Sequence, residues 1–421
     1  MKPALLTTPQ MTPGIEKLPF APWPYFAPDE IAAAVRVLES GKVNYWTGDE
    51  GRRFELEFAK FVGCEYAVAV ANGTVALELA LRAVGVKPGD EVITSSRTFI
   101  ASASCVVARG ARPVCADVDR DSGNITAETI RAVCTPATKA IVAVHLAGWP
   151  CDMDSILALA RERGLRVVED CAQAHGAIYR GRPVGSFGDV AAFSFCQDKI
   201  MTTAGEGGMV TTNSYDLWQR MWSYKDHGKN YDKVYGPRHS PGFRWVHDSF
   251  GTNWRLSEVQ SAVGRLALGK LPQWIATRRR HALKLTEHFS QIRGLRVPAV
   301  PVHMSHSYYK YYVYVSPQEL APDWDRNRIM EMISASGVPC MTGICSEVYL
   351  ETAFPREWRS SKRSAVAREL GETSLMFLVH PTLTEANIDH TLEVTKRVMS
   401  QATRARSMAA AAGARSAHTR P

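Results

Sequence analysis

Lys199 lies in the run Ser194-Phe195-Cys196-Gln197-Asp198-Lys199, just ahead of the glycine-rich turn Gly205-Glu206-Gly207-Gly208. Phe193, Phe195, Ile200 and Met201 flank it, which argues against a surface loop. Desolvation favours a neutral amine, and a neutral lysine amine is the nucleophile of Schiff-base chemistry. Three other segments offer groups that could serve such an amine. Asn72-Gly73-Thr74 opens a helical pattern, where free N–H groups and the positive end of the dipole can receive a phosphate. A plain N-cap by Asn72 or Thr74 is the alternative there. Phe99 ends the run Ser95–Phe99 and can lie flat on a planar ligand or pack in a core. Asp170 follows a very apolar run, where a carboxylate is costly without a partner. Nearby His175 reads as a core histidine.

Each of these groups follows an apolar segment of strand character. Strands are expected at Tyr66–Val70, Glu91–Thr94, Pro113–Val118, Ala140–His145, Arg166–Glu169, Val190–Phe195 and Gly208–Thr212. Helical spacing fills the intervals at Gly73–Val84, Ala101–Arg109, Thr126–Cys134 and Met153–Arg163. Strands alternating with helices imply an α/β fold with a mostly parallel sheet covered on both faces. Ligands of such sheets sit beyond the carboxyl ends of the strands, which is where all four groups lie. Before the first strand, Pro28 and Asp29 start a helix in which Ile31, Val35 and Leu38 recur at helical spacing. After about residue 270 the alternation thins. A helix over Ile275–Ile292, a strand over Tyr308–Val315 and a helix over Arg326–Ser336 suggest a smaller α+β domain. The expected organisation is an N-terminal arm (1–19), a large ligand-binding domain (20–270), a small C-terminal domain (271–400) and a disordered basic tail (401–421).

Taken together, a phosphate cradle at Gly73 and Thr74, a stacking ring at Phe99, a buried Asp170, a hydroxyl at Ser194 and an amine at Lys199 match the needs of pyridoxal 5'-phosphate. They supply an anchor for its phosphate, a face contact, a counter-charge for its ring nitrogen and an amine for its aldehyde. The bulk properties fit a soluble globular protein. Of the 421 residues, 45% are apolar and 22% charged. Half of the +8 net charge comes from four arginines in the acid-free tail, which argues against a nucleic-acid binder. Arg278-Arg279-Arg280 is the strongest basic run elsewhere; it reads as a solvated helix face, with an anionic ligand or nucleic acid as the alternative. The nine cysteines form no CxxC pair, so no metal centre is expected and a reducing cytoplasm is. No signal-peptide run and no membrane span are expected.

From about Tyr45 to Arg397 the sequence resembles the DegT/DnrJ/EryC1/StrS family of sugar aminotransferases. The matching stretches include Asn72-Gly73-Thr74, Thr98-Phe99-Ile100-Ala101-Ser102-Ala103, His145-Leu146-Ala147-Gly148, Glu169 to Ala177, Gly205 to Gly208, Asp226-His227-Gly228 and Gly251 to Glu258. The resemblance implies a fold-type I aminotransferase with a large domain and a smaller α+β domain. It implies that Lys199 is the Schiff-base lysine and proton shuttle, and that Asp170 pairs with the pyridine nitrogen. Gln173 would lie against the ring near its hydroxyl, Phe99 would stack on it, and Gly73, Thr74 and Ser194 would hold the phosphate. Asn253 would reach the phosphate of a neighbouring subunit, implying a homodimer with shared sites. Relatives with histidine in place of the lysine perform dehydration, so Lys199 favours transamination. Two departures stand out: Ala71 where serine is common, and Ala204 where glycine is frequent.

The run Val43-Asn44-Tyr45-Trp46-Thr47-Gly48 is similar to the branch that forms nucleotide-linked 4-amino-4,6-dideoxyhexoses. The expected reaction therefore moves the amine of L-glutamate to a nucleotide-linked 4-keto-6-deoxyhexose, for surface polysaccharide (O-antigen) biosynthesis. Lys229 and Arg244 are candidates for the sugar nucleotide's diphosphate. The alternatives are a cyclitol, keto-octulosonate or antibiotic-sugar aminotransferase, and a non-catalytic regulatory protein on the same fold.

Overall fold

The computed structural model describes residues 18–236, 242–359 and 362–404. The expected arm up to residue 17 and the tail beyond 404 lie outside the described residues. The central sheet has seven strands: β1 (Tyr66–Val70), β2 (Glu91–Ser95), β3 (Arg112–Ala116), β4 (Thr138–Val144), β5 (Arg166–Asp170), β6 (Val190–Ser194) and β7 (Gly208–Thr212). They lie in the order β1-β7-β6-β5-β4-β2-β3. The β2–β3, β2–β4, β4–β5 and β5–β6 pairs are parallel. β7 runs antiparallel to both β1 and β6. The parallel strands therefore deliver their carboxyl ends to one edge of the sheet.

Both faces of the sheet are buried, and the side-chain alternation sorts them into two cores. Ala67, Ala69, Ile93, Ile141, Ala143, Val167, Ala191 and Phe193 point into one, beneath Phe54 and Phe58. Val68, Val70, Val92, Val142, Val168, Ala192 and Val210 point into the other, under the helix Gly73–Ala83. This double burial is why the strands read as continuous apolar runs.

A second sheet of Leu295–Arg296, Tyr311–Val315, Ser374–Phe377 and Cys340–Met341 pairs in that order, antiparallel throughout. Its core gathers Val313, Leu375, Phe377, Ile329 and Ile388. The connection between the two sheets is one helix, Glu258–Phe289. Its first half packs on the large core through Leu268, Leu271 and Ile275, and its second half on the small one through Ala282, Leu285 and Phe289.

Two sequence expectations are corrected here. The helix expected at Ile275–Ile292 starts at Glu258, capped by Ser257 and Gln260 in a reciprocal box, and Pro272 is absorbed within it. The helix expected from Pro28 and Asp29 is present as Pro28–Ser40; Ala33 and Val37 are its buried residues, while Ile31, Val35 and Leu38 are 55%, 45% and 60% exposed. Arg278 is not on a solvated face but 1% exposed. Its neighbours differ: Arg279 donates to the His306 carbonyl and Arg280 pairs with Glu385 at the surface. Among the described residues no helix is long and apolar enough to cross a membrane.

Candidate active site

The strand ends open onto a cleft of about 750 Å³. Gly73, Thr74, Phe99, Asp170, Gln173, Ser194 and Lys199 all line it.

Asp170 is the last residue of β5 and is 5% exposed. Ser102 Oγ donates to its Oδ2 at 2.8 Å, and the Ala172 N–H donates to Oδ1 at 3.1 Å. Since Ser102 spends its single hydroxyl hydrogen on Asp170, the 2.8 Å contact with Thr98 has Thr98 as donor. This chain fixes the carboxylate but does not neutralise it. Burial raises its pKa, and the Ser102 bond and the charge of Lys199 offset that in part. A cation arriving from the cleft would reverse the direction.

Gln173 is oriented the same way. Its Oε1 accepts the Ala147 N–H at 2.8 Å, which turns its amide NH₂ toward the cleft it lines. At the opposite end, Asn72 caps the helix Gly73–Ala83, accepting from the Val75 N–H at 3.0 Å. The N-cap reading and the phosphate reading are thus both satisfied. Asn72 takes the Val75 donor, and the amides of Gly73 and Thr74 remain at the helix start. Gly73 is demanded by close approach, since a Cβ there would meet Ser194 Cβ at 2.5 Å. The Cys196 N–H donates to Ser194 Oγ at 3.3 Å, which leaves the serine hydroxyl hydrogen for a ligand.

Lys199 retains 17% side-chain exposure. Ile200 and Met201, both fully buried, anchor the chain beyond it. Its carbonyl accepts from Trp23 Nε1 at 2.7 Å, and its amine lies 5.0 Å from the Tyr309 ring centre and 4.0 Å from Asp198. The Tyr309 hydroxyl donates to Asp198. Phe99 is 60% exposed and lines the cleft, so the core-packing reading fails for it. His175 is the core histidine expected: it packs between Phe193 and Phe195, and burial pushes it down to about 3.

Asn253, Lys229 and Arg244 do not line this cleft. Asn253 is exposed, in a bridge to Asp226. Lys229 is held by Asp226 at 3.0 Å and lies 3.9 Å from the Trp46 ring centre. Arg244 is exposed and donates to the Lys233 carbonyl. Sequence reasoning missed Ser102, although it stands in the Thr98–Ala103 motif one helical turn after Thr98. It also missed Tyr309, Lys310, Tyr312, Met341 and Ile344, which the small domain adds to the cleft.

The donor set fits pyridoxal phosphate. Asp170 has no ion-pair partner among the described residues, Gln173 offers an N–H, and the Gly73 amide faces Ser194 across a gap too narrow for a Cβ. The comparisons with known proteins agree. The model of the DegT/DnrJ/EryC1/StrS aminotransferase family matches residues 24–396. An aminotransferase structure from Psychrobacter cryohalolentis is 54% identical with a TM-score of 0.90, over 91% of this chain and all (100%) of that one. GDP-perosamine synthase of Caulobacter vibrioides is 36% identical over 84% of this chain and 92% of its own length. A UDP-N-acetyl-3-dehydro-α-D-glucosamine 3-aminotransferase of Acidithiobacillus ferrooxidans is 35% identical over 89% and 96%. The chain therefore belongs to the DegT/DnrJ/EryC1/StrS aminotransferase family and is a transaminase that depends on pyridoxal phosphate.

Proposed function

We propose that the enzyme transfers the amino group of L-glutamate to the keto group of a nucleotide-linked 4-keto-6-deoxyhexose, in the cytoplasm, for surface polysaccharide (O-antigen) assembly. The observation that carries this reading is the convergence of Lys199, Asp170, Gln173 and Phe99 on a cleft of about 750 Å³, roomy enough for a sugar beside the cofactor. The similarity to GDP-perosamine synthase supports the sugar-nucleotide part.

When bound, pyridoxal phosphate supplies an electron sink for the carbon from which a proton is removed. The protein supplies the rest. The amides of Gly73 and Thr74, with the Ser194 hydroxyl, bind the phosphate at the helix start. Asp170, held in place by Ser102 and Ala172, would be the counter-charge for a protonated ring nitrogen. Gln173 presents its NH₂ to the ring hydroxyl. The Lys199 amine would hold the cofactor through its aldehyde carbon and, once free, would serve as the base that moves a proton within the cleft.

The working unit of this proposal is a homodimer. Asn253 is exposed in the single chain, and the segment before it carries Phe243, Trp245 and Phe250 at 78%, 81% and 96% exposure. A second copy that covers these rings would bring Asn253 to a subunit interface, where the family resemblance implies that it reaches the neighbour's phosphate. Arg244 of the same segment is then the better diphosphate contact, because Asp226 already engages Lys229.

Purified holoenzyme should show the visible band of lysine-bound cofactor, bleached by L-glutamate. Lys199→Ala should fold, lose the band and lose at least about 10³-fold in turnover, by the usual worth of a positioned proton carrier. A colourless wild-type protein with added cofactor would leave the non-catalytic alternative standing. A panel of nucleotide keto-sugars, read by product mass, tests the substrate. It should include 3-keto sugars, given the name of the Acidithiobacillus relative.

A further inference from the structure

Behind Lys199 lies a second cavity, of about 270 Å³, lined by Phe20, Pro22, Trp23, Leu378, Asp198, Arg278, Lys310 and His380. It shares Asp198 and Lys310 with the main cleft, so the two meet beside the catalytic lysine. Arg278 rises into this region from the long helix and is 1% exposed. Its Nη1 donates to the carbonyls of Tyr308 and Tyr309, at 3.3 and 3.2 Å. Its Nε and Nη2 have no hydrogen-bond partner among the described residues. The Trp23 ring, 5.2 Å from the guanidinium carbon, offers a cation–π contact but no acceptor. A buried guanidinium with two empty donors on adjacent nitrogens matches the fork of a carboxylate.

The charges around it point the same way. Arg278 and Lys310 stand against Asp198, whose carboxylate takes the Tyr309 hydroxyl and lies 4.0 Å from Lys199. His380 reports the uncompensated positive charge: burial, then Arg278 and Lys310, push it down to about 3. The rest of the lining is Phe20, Ala21, Pro22, Trp23, Pro339 and Leu378, which suits methylene groups. The ligand this describes is a short aliphatic chain ending in one carboxylate.

We infer that this cavity binds the side-chain carboxylate of the amino donor, on Arg278 and Lys310, with the donor's methylenes against Trp23 and Leu378. The inference rests on the aminotransferase reading and adds the reason for a dicarboxylic donor. Trp23 would couple the two events, since its ring flanks Arg278 and its Nε1 bonds the Lys199 carbonyl.

The test compares holoenzyme with Lys310→Gln and Arg278→Lys. Glutarate, which has the methylenes and carboxylates of glutamate without its amine, is titrated calorimetrically and as a competitor of bleaching by L-glutamate. Glutarate should bind and compete in the wild type and weaken by about tenfold or more in Lys310→Gln, the worth of one charged hydrogen bond. The L-glutamate concentration for half-bleaching should rise in parallel, while that for L-alanine, which has no side-chain carboxylate, should stay put. If Arg278→Lys unfolds, Lys310→Gln still decides. Unchanged glutarate affinity, or an equal loss with L-alanine, would overturn the inference while a bleachable band keeps the aminotransferase reading intact. A wild type without that band would sink the aminotransferase reading instead, and calorimetry would still judge the pocket.

Discussion

On the sheet side of the cleft, Asp170 accepts two hydrogen bonds, Gln173 is tied through Ala147, and Asn72 caps its helix. On the small-domain side, Arg278 keeps two donors without partners and Lys310 lies 4.9 Å from the Tyr309 ring centre. The first wall is finished before any ligand arrives. Parallel register sets its groups within one edge, and short local bonds set their angles. The second wall is polar, partly unpaired, and joined to the first by the helix Glu258–Phe289 and the Trp23 bond. Such a division suits a transaminase that runs one cofactor chemistry on two unlike substrates. The chemistry needs fixed geometry, and the choice of substrate needs groups that a substrate completes.

Asp170→Asn tests the first wall most severely. The isostere keeps the Ser102 contact but cannot hold a proton on the ring nitrogen, so turnover should fall about 10³-fold, close to 4 kcal/mol. Folding should move the other way. Burial raises the Asp170 pKa, so the ionised carboxylate costs stability at neutral pH in the cofactor-free protein, and the neutral amide relieves that cost. A urea titration without cofactor should show Asp170→Asn as stable as the wild type or more so. A variant both inactive and unstable would mean that Asp170 is structural.

Acid tests both walls at once. Burial pushes His175 behind the sheet, and His306 and His380 on the small-domain side, from 6.5 down to about 3. Below pH 6.5 the unfolded chain takes up protons that the folded one refuses, so stability is lost as pH falls from 6.5 toward 3. Each histidine contributes about 1.4 kcal/mol per pH unit well inside that window, and the three together about 4. Denaturation midpoints at pH 7, 5.5 and 4.5 measure the slope. His175→Leu should lower it by about 1.4 kcal/mol per pH unit; an unchanged slope would mean that His175 is hydrogen-bonded and charged in the fold.

How legible each wall is in the sequence follows from the same contrast. The sheet wall is built from local runs, each an apolar strand followed by a residue that lines the cleft, so Gly73, Phe99, Asp170, Ser194 and Lys199 can be found one strand at a time. The small-domain wall depends on contacts between distant segments. Tyr309 meets Asp198 across 111 positions, and Trp23 meets the Lys199 carbonyl across 176. No local spacing announces either. Arg278 shows the same failure. In a basic triplet it looks solvated, and burial on one helix face makes it a different residue from Arg280, two positions on. Helix Pro28–Ser40 is legible by contrast: the spacing of Ile31, Val35 and Leu38 marks the helix, although its buried face is Ala33 and Val37. The missed half of the long helix has a plain cause, since Gly264, Gly269 and Pro272 break the propensity that Ser257 and Gln260 initiate.

Gly73→Ala should have a middling effect on the sheet wall. The new methyl would lie 2.5 Å from Ser194 Cβ, so the helix start must back away from β6. Overpacking of this kind costs about 1–3 kcal/mol. The displaced amides should weaken cofactor binding, measured by titration of the visible band, more than they change turnover at saturating cofactor.

The smallest expected effect concerns the loop that carries Lys199. Ala204 holds φ at 61°, the left-handed region, with Gly205 beside it at 113°. The turn is fixed from both sides: Thr203 Oγ1 donates to the Glu206 carbonyl at 2.6 Å, and the Gly205 N–H donates to Thr202 Oγ1 at 3.2 Å. A non-glycine residue there costs about 1–2 kcal/mol, of which glycine's greater chain entropy would take back about half. Ala204→Gly should therefore stabilise the fold by roughly 0.5–1 kcal/mol. It should leave the visible band and the turnover unchanged, because Ile200 and Met201 already anchor the loop in the core. A loss of turnover with the gain in stability would show that the strained alanine helps hold the Lys199 amine, and that even the finished wall keeps some of its precision in a turn rather than in the sheet.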